Sequence, residues 1–204
     1  MGSDVPVHRC EGIVPAFLFD LDGTLVDSVC QHVLAWREAL ERIGTQLSVW
    51  RLHRRIGMSG GLLVNALLRE TGRSISQADE QRLQTFHAEA CAKLAPQVRP
   101  LPGAVELLQY LSRLKLPFAI ATSVLIESAR PVLDLLRVNS SIPVTTRDQV
   151  RHAKPDPDLF LAAAERLGAS IHDSIVVGDS VWDLLAARRA RLRSWIGVWR
   201  IWPG

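Results

Sequence analysis

Three short, uninterrupted apolar runs mark the chain, and each ends on a polar residue. Residues 16–19 (Ala-Phe-Leu-Phe) run into Asp20, residues 118–121 into Thr122, and residues 175–178 into Asp179. Apolar runs of this length suit strands buried on both faces, as in a parallel sheet covered by helices. Amphipathic segments lie between them at 104–114, 128–136, 157–167 and 182–189. Strand alternating with helix predicts a doubly wound, Rossmann-like α/β core. Ligands of such sheets bind beyond the carboxyl ends of the strands. Asp20, Thr122 and Asp179 all fall there, from three different strands.

Between the first and second runs the pattern changes. Residues 29–43, 49–56, 61–70 and 77–94 all carry helical periodicity. A crossover between parallel strands needs one helix, so several point to an inserted helical cap. The expected organisation is a core of residues 1–27 and 100–204 with a cap of residues 28–99. Pro96, Pro100, Pro102 and Gly103 punctuate the return and suit a hinge strand. Residues 194–199 suit a fifth strand, followed by a tryptophan-rich end.

Composition narrows the class. Of 204 residues, 48% are hydrophobic and 22% charged, an ordinary balance for a soluble globular chain. No apolar stretch reaches the eighteen or so residues of a membrane span. The first fourteen residues lack a signal-peptide core, so a cytoplasmic location is expected. Cys10, Cys30 and Cys91 are far apart and show no metal-ligand spacing, which reads as isolated reduced thiols. The net charge of +3 is mild, and Lys93, Lys115 and Lys154 are the only lysines. The densest basic run, residues 188–193, fits a helix C-terminus, where cations are favoured. No nucleic-acid partner is expected.

The segment Asp20-Leu21-Asp22-Gly23-Thr24 sets two carboxylates two residues apart. In extended chain such side chains point the same way, so Asp20 and Asp22 can share a pocket, and Gly23 lets the backbone turn sharply. Asp179 adds a third negative charge. Such a cluster persists when a cation neutralises it or one member is protonated. All-oxygen ligation suits a hard ion such as Mg2+. Lys154 supplies a compensating ammonium and Thr122 a hydroxyl, which together form an inventory for handling a phosphoryl group.

These residues carry a resemblance. Asp20-Leu21-Asp22-Gly23-Thr24 resembles motif I of the haloacid dehalogenase superfamily, and Thr122-Ser123 its motif II. Lys154-Pro155-Asp156-Pro157 is similar to motif III, and the segment from Gly178-Asp179 to Asp183 to motif IV. The four occur in the family's order over about residues 15–190. The resemblance implies a phosphatase in which Asp20 is the nucleophile and Asp22 the acid and base. It further implies Mg2+ held by Asp20, the Asp22 backbone carbonyl and Asp179, with Asp183 gripping a metal-bound water. Thr122, Ser123 and Lys154 would hold phosphoryl oxygens. The expected substrate is a small phosphorylated metabolite, and the expected state a monomer or weak dimer.

Two features depart from the pattern. Val124 follows Thr122-Ser123 where relatives often carry a small or polar residue. The chain also stops soon after motif IV, where relatives generally continue with a further helix, so exposed apolar surface and an inactive family member form one alternative. Asp22 argues against the dehalogenase branch, which has no leaving alcohol to protonate. A β-phosphoglucomutase-like phosphomutase is the runner-up, because His32 and Trp36 share one face of the first cap helix. Gly57-Met58-Ser59-Gly60 weakens it, with glycine where the mutase loop offers arginine. A non-catalytic receiver-like phosphoacceptor fits less well, since receivers lack a cap and the second acid. His32, Arg54 and Arg55 are the candidate substrate contacts from the cap.

Overall fold

The computed structural model describes residues 14–72, 76–137, 141–192 and 194–197. Its strands are β1 (Ala16–Phe19), β2 (Val26–Asp27), β3 (Arg99–Pro100), β4 (Phe118–Ala121), β5 (Val144–Thr145), β6 (Ser174–Gly178) and β7 (Ser194–Gly197). Between β2 and β3 lie α1 (Val29–Arg42), α2 (Val49–His53), α3 (Gly60–Thr71) and α4 (Gln77–Leu94). The helices after β3 are α5 (Ala104–Arg113), α6 (Ile126–Leu135), α7 (Asp158–Arg166) and α8 (Val181–Arg189). Five strands form a parallel sheet in the order β5-β4-β1-β6-β7. Strand β1 lies at its centre, with Phe17 paired to Phe118 on one side and Ile175 on the other.

The apolar runs are continuous because both faces of the sheet are covered. Phe17, Phe19, Phe118, Ile120, Ile175 and Val177 pack on one face with Leu108 and Leu111 of α5 and Ala129 of α6. Leu18, Ala119, Ala121 and Val176 pack on the other, with Leu159, Phe160 and Ala163 of α7 and Ala186 of α8. Successive residues alternate between the two clusters, as the pleat requires. Each large apolar side chain removed from water this way contributes about 1.5–3 kcal/mol.

The four helices between β2 and β3 share a separate cluster. Val33, Trp36 and Leu40 of α1, Leu52 of α2, Leu63 and Leu67 of α3 and Leu83 of α4 form it. Surface ion pairs tie α1 to α4, with Lys93 Nζ 2.8 Å from Glu38 Oε1 and Arg42 Nη1 2.6 Å from Glu89 Oε2. The chain enters and leaves this region through β2 and β3, which pair antiparallel, Val26 with Pro100 and Asp27 with Arg99. The strand expected near Pro100 is β3.

Some expectations change. Helix α1 begins at Val29, with Ser28 in the cap position but without a side-chain capping bond, and Asp27 before it lies in β2. Helix α2 ends at His53, and the chain turns through Gly57 at φ +96° before α3. Strand β5 has no clear sequence signal; it forms because Ile120 and Ala121 of β4 offer an edge to Val144 and Thr145. The fifth expected strand is seen as β7. The tryptophan-rich end at 198–204 and Cys10 lie outside the described residues. No helix among the described residues is long and apolar enough to cross a membrane.

Candidate active site

Asp20 is the first residue beyond β1, and its N–H still donates to Val177 O at 2.9 Å. The chain then turns back, with Gly23 N–H donating to Val26 O at 2.8 Å and Leu25 N–H to Leu21 O at 2.9 Å. Gly23 sits at φ +85°, and a Cβ there would run into the Asp179 carboxylate and lie 2.8 Å from Val29 Cγ2. Both conformation and space therefore demand glycine. Gly23→Ala is expected to cost about 2–4 kcal/mol of unfolding free energy by urea denaturation.

Lys154 is fully buried, with its ammonium between two carboxylates. It bonds Asp20 Oδ1 closely and lies 2.7 Å from Asp183 Oδ1. Burial alone would lower the Lys154 pKa, but Asp183 and Asp20 outweigh it and raise it. Asp183 is held in turn: its Oδ2 accepts from Ser180 N–H at 3.0 Å and Ser180 Oγ at 2.5 Å. The Ser180 hydroxyl accepts from Asp183 N–H at 3.3 Å, completing a reciprocal cap on α8. Ser180→Ala removes both roles, and a loss of about 1–2 kcal/mol is expected from thermal unfolding.

Asp20, Asp179 and Asp183 each offer an oxygen, and these lie within 4.8 Å of one another. The Thr24 hydroxyl sits between Asp20 Oδ2 at 3.3 Å and Asp179 Oδ1 at 3.4 Å, able to donate to one at a time. Burial raises the Asp20 pKa well above the usual carboxylate range; Lys154 opposes this, and Asp183, Asp179 and Asp22 add to it. Asp179 is pushed up to about 6, by burial first and then by Asp183. Hard oxygen donors crowded until they resist ionisation are a set that a divalent cation fits, because it removes the repulsion that raises them.

Asp22 has different surroundings. Its Oδ1 accepts from Ser28 Oγ at 2.6 Å and lies 3.1 Å from His32 Nε2, while its Oδ2 accepts from Thr122 Oγ1 at 3.3 Å. Burial raises its pKa, but His32 and the bonds from His32 and Ser28 prevail and lower it. His32, disfavoured as a cation by burial, is nevertheless pushed up to about 10 by Asp22. Two carboxylates two residues apart thus experience opposite electrostatics.

Asp20 and Asp22 line a cavity of about 520 Å3. The cap comes down onto its rim: Ser59 N–H donates to Lys154 O at 3.2 Å, and Ser123 Oγ to Gly57 O at 3.2 Å. A Cβ on Gly57 would come within 2.7 Å of Ser180 Oγ, so glycine permits this approach. Of the residues expected from sequence, Asp20, Asp22, Thr122, Lys154, Asp179 and Asp183 come together at one end of the sheet. Ser123, Val124 and His32 line the cavity, whereas Arg54 and Arg55 do not. Arg54 is exposed and stacks on Trp50, 5.4 Å from the ring centroid.

Cys91 is not an isolated thiol. Its Sγ lies 3.5 Å from His32 Nδ1 and 3.3 Å from His87 Nε2, with His87 one helical turn before it on α4. The spacing His87-x-x-x-Cys91 was the available signal, and the third member stands on α1. Single hydroxyls such as those of Ser28 and Ser180 follow no pattern that a sequence alone displays.

Residues 14–191 match the haloacid dehalogenase-like hydrolase family. The chain is 32% identical over 189 residues to a phosphoglycolate phosphatase of Agrobacterium fabrum, covering 90% of this chain and 80% of that one. It is 31% identical over 184 residues to hexitol phosphatase A of Escherichia coli, covering 89% and 80%. The crystal structure of a hydrolase from Pseudomonas syringae superposes with a TM-score of 0.87 at 50% identity, over 90% of this chain and 84% of that one.

Proposed function

The chain belongs to the haloacid dehalogenase-like hydrolase family and is a phosphatase of phosphate monoesters; on that premise we propose that it cleaves a small phosphorylated metabolite through an aspartyl-phosphate on Asp20, with Mg2+. The carrying observation is that Asp20 and Asp22 line one cavity but have opposite partners, Lys154 for the first and Ser28, His32 and Thr122 for the second. Asp20, its raised pKa relieved by Lys154 and by a bound cation, serves as the nucleophile, while Asp22, paired with His32, moves the proton.

Asp20 attacks phosphorus in line, and the bond from phosphorus to the ester oxygen breaks as that oxygen takes a proton through Asp22, which is itself held ionised and draws the proton from the protonated His32 at 3.1 Å. Water then attacks the phosphorus of the aspartyl-phosphate, Asp22 takes a proton back, and inorganic phosphate leaves with Asp20 restored. His32 and Ser28 orient Asp22 through both steps. Lys154 holds the Asp20 carboxylate, and Lys154, Thr122 and Ser123 receive the phosphoryl oxygens. Asp20, the Asp22 carbonyl and Asp179 would hold Mg2+, with Asp183 beside them. When bound, the ion offsets the charge that Asp20 and the phosphate bring together. In this reading residues 28–99 are the cap that closes the cavity over a small substrate.

The cavity wall bears on the alcohol. The cap contributes Asn65, Glu80 and Gln84, and among the described residues no cap lysine or arginine lines it. Arg147 lines it from the core, with its Nη1 donating to Val150 O at 3.0 Å. Glu80 repels a carboxylate and accepts from hydroxyls, which favours an uncharged, hydroxylated alcohol such as a sugar or polyol. Among the described residues no cap lysine or arginine is placed to hold the second phosphate of a mutase intermediate, which favours hydrolysis.

The test is phosphate release from a panel of esters. Turnover is expected with Mg2+ and loss of about a hundredfold or more after chelation, reversed by added Mg2+. A polyol or sugar phosphate should exceed phosphoglycolate in kcat/KM by about tenfold or more, an energy of about 1.4 kcal/mol. Equal turnover with chelator would contradict the metal requirement, and a preference for phosphoglycolate would contradict the reading of the wall.

A further inference from the structure

We propose that His32, His87 and Cys91 form a second metal site, within the helical cap, for a thiophilic divalent cation of the zinc and cobalt type. His32 Nδ1 and His87 Nε2 are 3.5 Å apart, His32 Nδ1 and Cys91 Sγ 3.5 Å, and Cys91 Sγ and His87 Nε2 3.3 Å. Three ligands of a tetrahedral ion, with metal–nitrogen distances of about 2.0–2.1 Å and metal–sulfur of about 2.3 Å, form a triangle with edges of about 3.3–3.6 Å. The side chains already hold nearly that triangle. The His32 and His87 ring centroids are 5.6 Å apart, so the two facing nitrogens lie close to the line between the rings.

The surroundings are those of a ligand set. His32 turns its other nitrogen, Nε2, to Asp22 Oδ1 at 3.1 Å, the carboxylate–histidine arrangement that orients a ligating imidazole and sets its tautomer. The His87 ring stacks on Trp36 at 4.0 Å between centroids, with 18° between the planes. Three protein ligands leave one position open, and His32 and Cys91 also line a cavity of about 250 Å3. Gln31 lines the same cavity, and its buried Oε1 has no partner among the described residues. Thiolate and imidazole donors select zinc-like ions over Mg2+, whereas the oxygens of Asp20 and Asp179 do the reverse. The two sites would sort two metals on the two sides of Asp22.

The test adds Co2+ to metal-stripped full-length protein in the presence of excess Mg2+ and records the absorption spectrum. About one equivalent of Co2+ is expected to produce a thiolate-to-cobalt charge-transfer band in the near ultraviolet with tetrahedral bands in the visible. Cys91→Ser should abolish the charge-transfer band, and His87→Ala should weaken Co2+ binding about tenfold or more. Asp20→Asn should keep the band, which separates this site from the acidic one. A wild-type spectrum without the band overturns the proposal. So does a band that survives in Cys91→Ser, which would place the thiolate at Cys10 or Cys30.

Discussion

Asp20→Asn is expected to lower phosphate release by about ten-thousandfold or more, equivalent to about 5–6 kcal/mol of transition-state stabilisation. The change replaces one oxygen by an amide nitrogen of the same size, so the cavity keeps its shape, but the amide cannot take up a phosphoryl group. The fold should survive, because Lys154 retains Asp183 at 2.7 Å as its counter-charge. Initial-rate phosphate assays on the preferred ester, with urea unfolding of the same samples, separate the two effects. Activity within tenfold of wild type would show that Asp20 is not the nucleophile.

Lys154→Met should damage both stability and chemistry. The fully buried ammonium is the cation against Asp20 and Asp183, and methionine fills its volume without its charge. Removing one partner of a buried ionic cluster leaves uncompensated charge and costs about 3–5 kcal/mol. The loss should shrink as pH falls, because protonation relieves the carboxylates left behind. Phosphate release should fall by about a hundredfold or more even where the variant is folded, since the charge that meets the phosphoryl oxygens is gone. Adding Asp183→Asn should restore part of the stability and none of the activity. Chemical denaturation at two pH values, paired with rate measurements, gives both answers.

The sheet was legible because its central strands are buried on both faces, so four apolar residues in a row announce each of them. Strand β5 was not, because Val144 and Thr145 are two residues whose partner lies elsewhere in the chain. The acids were legible because Asp20 and Asp22 are close in sequence, and because Asp179 ends an apolar run. What the sequence hides is contact between distant helices. His32 and Cys91 are 59 residues apart, and only the packing of α1 on α4 brings them together. Arg54 illustrates the converse. Its position just before the cap loop suggests substrate, but α2 stops at His53 and leaves its guanidinium stacked on Trp50.

The central claim is a covalent bond between Asp20 and phosphorus, and trapping it is the most direct measurement. Asp22→Asn should let the acyl phosphate accumulate when the substrate is an activated aryl phosphate, whose leaving group needs no proton, because the base that directs water is missing. Acid quenching followed by borohydride reduction converts an aspartyl phosphate to homoserine, and peptide mass mapping locates it. The expected result is homoserine at position 20, absent when Asp20→Asn is added. Homoserine at another position, or a phosphoprotein labelled on histidine, would contradict the account.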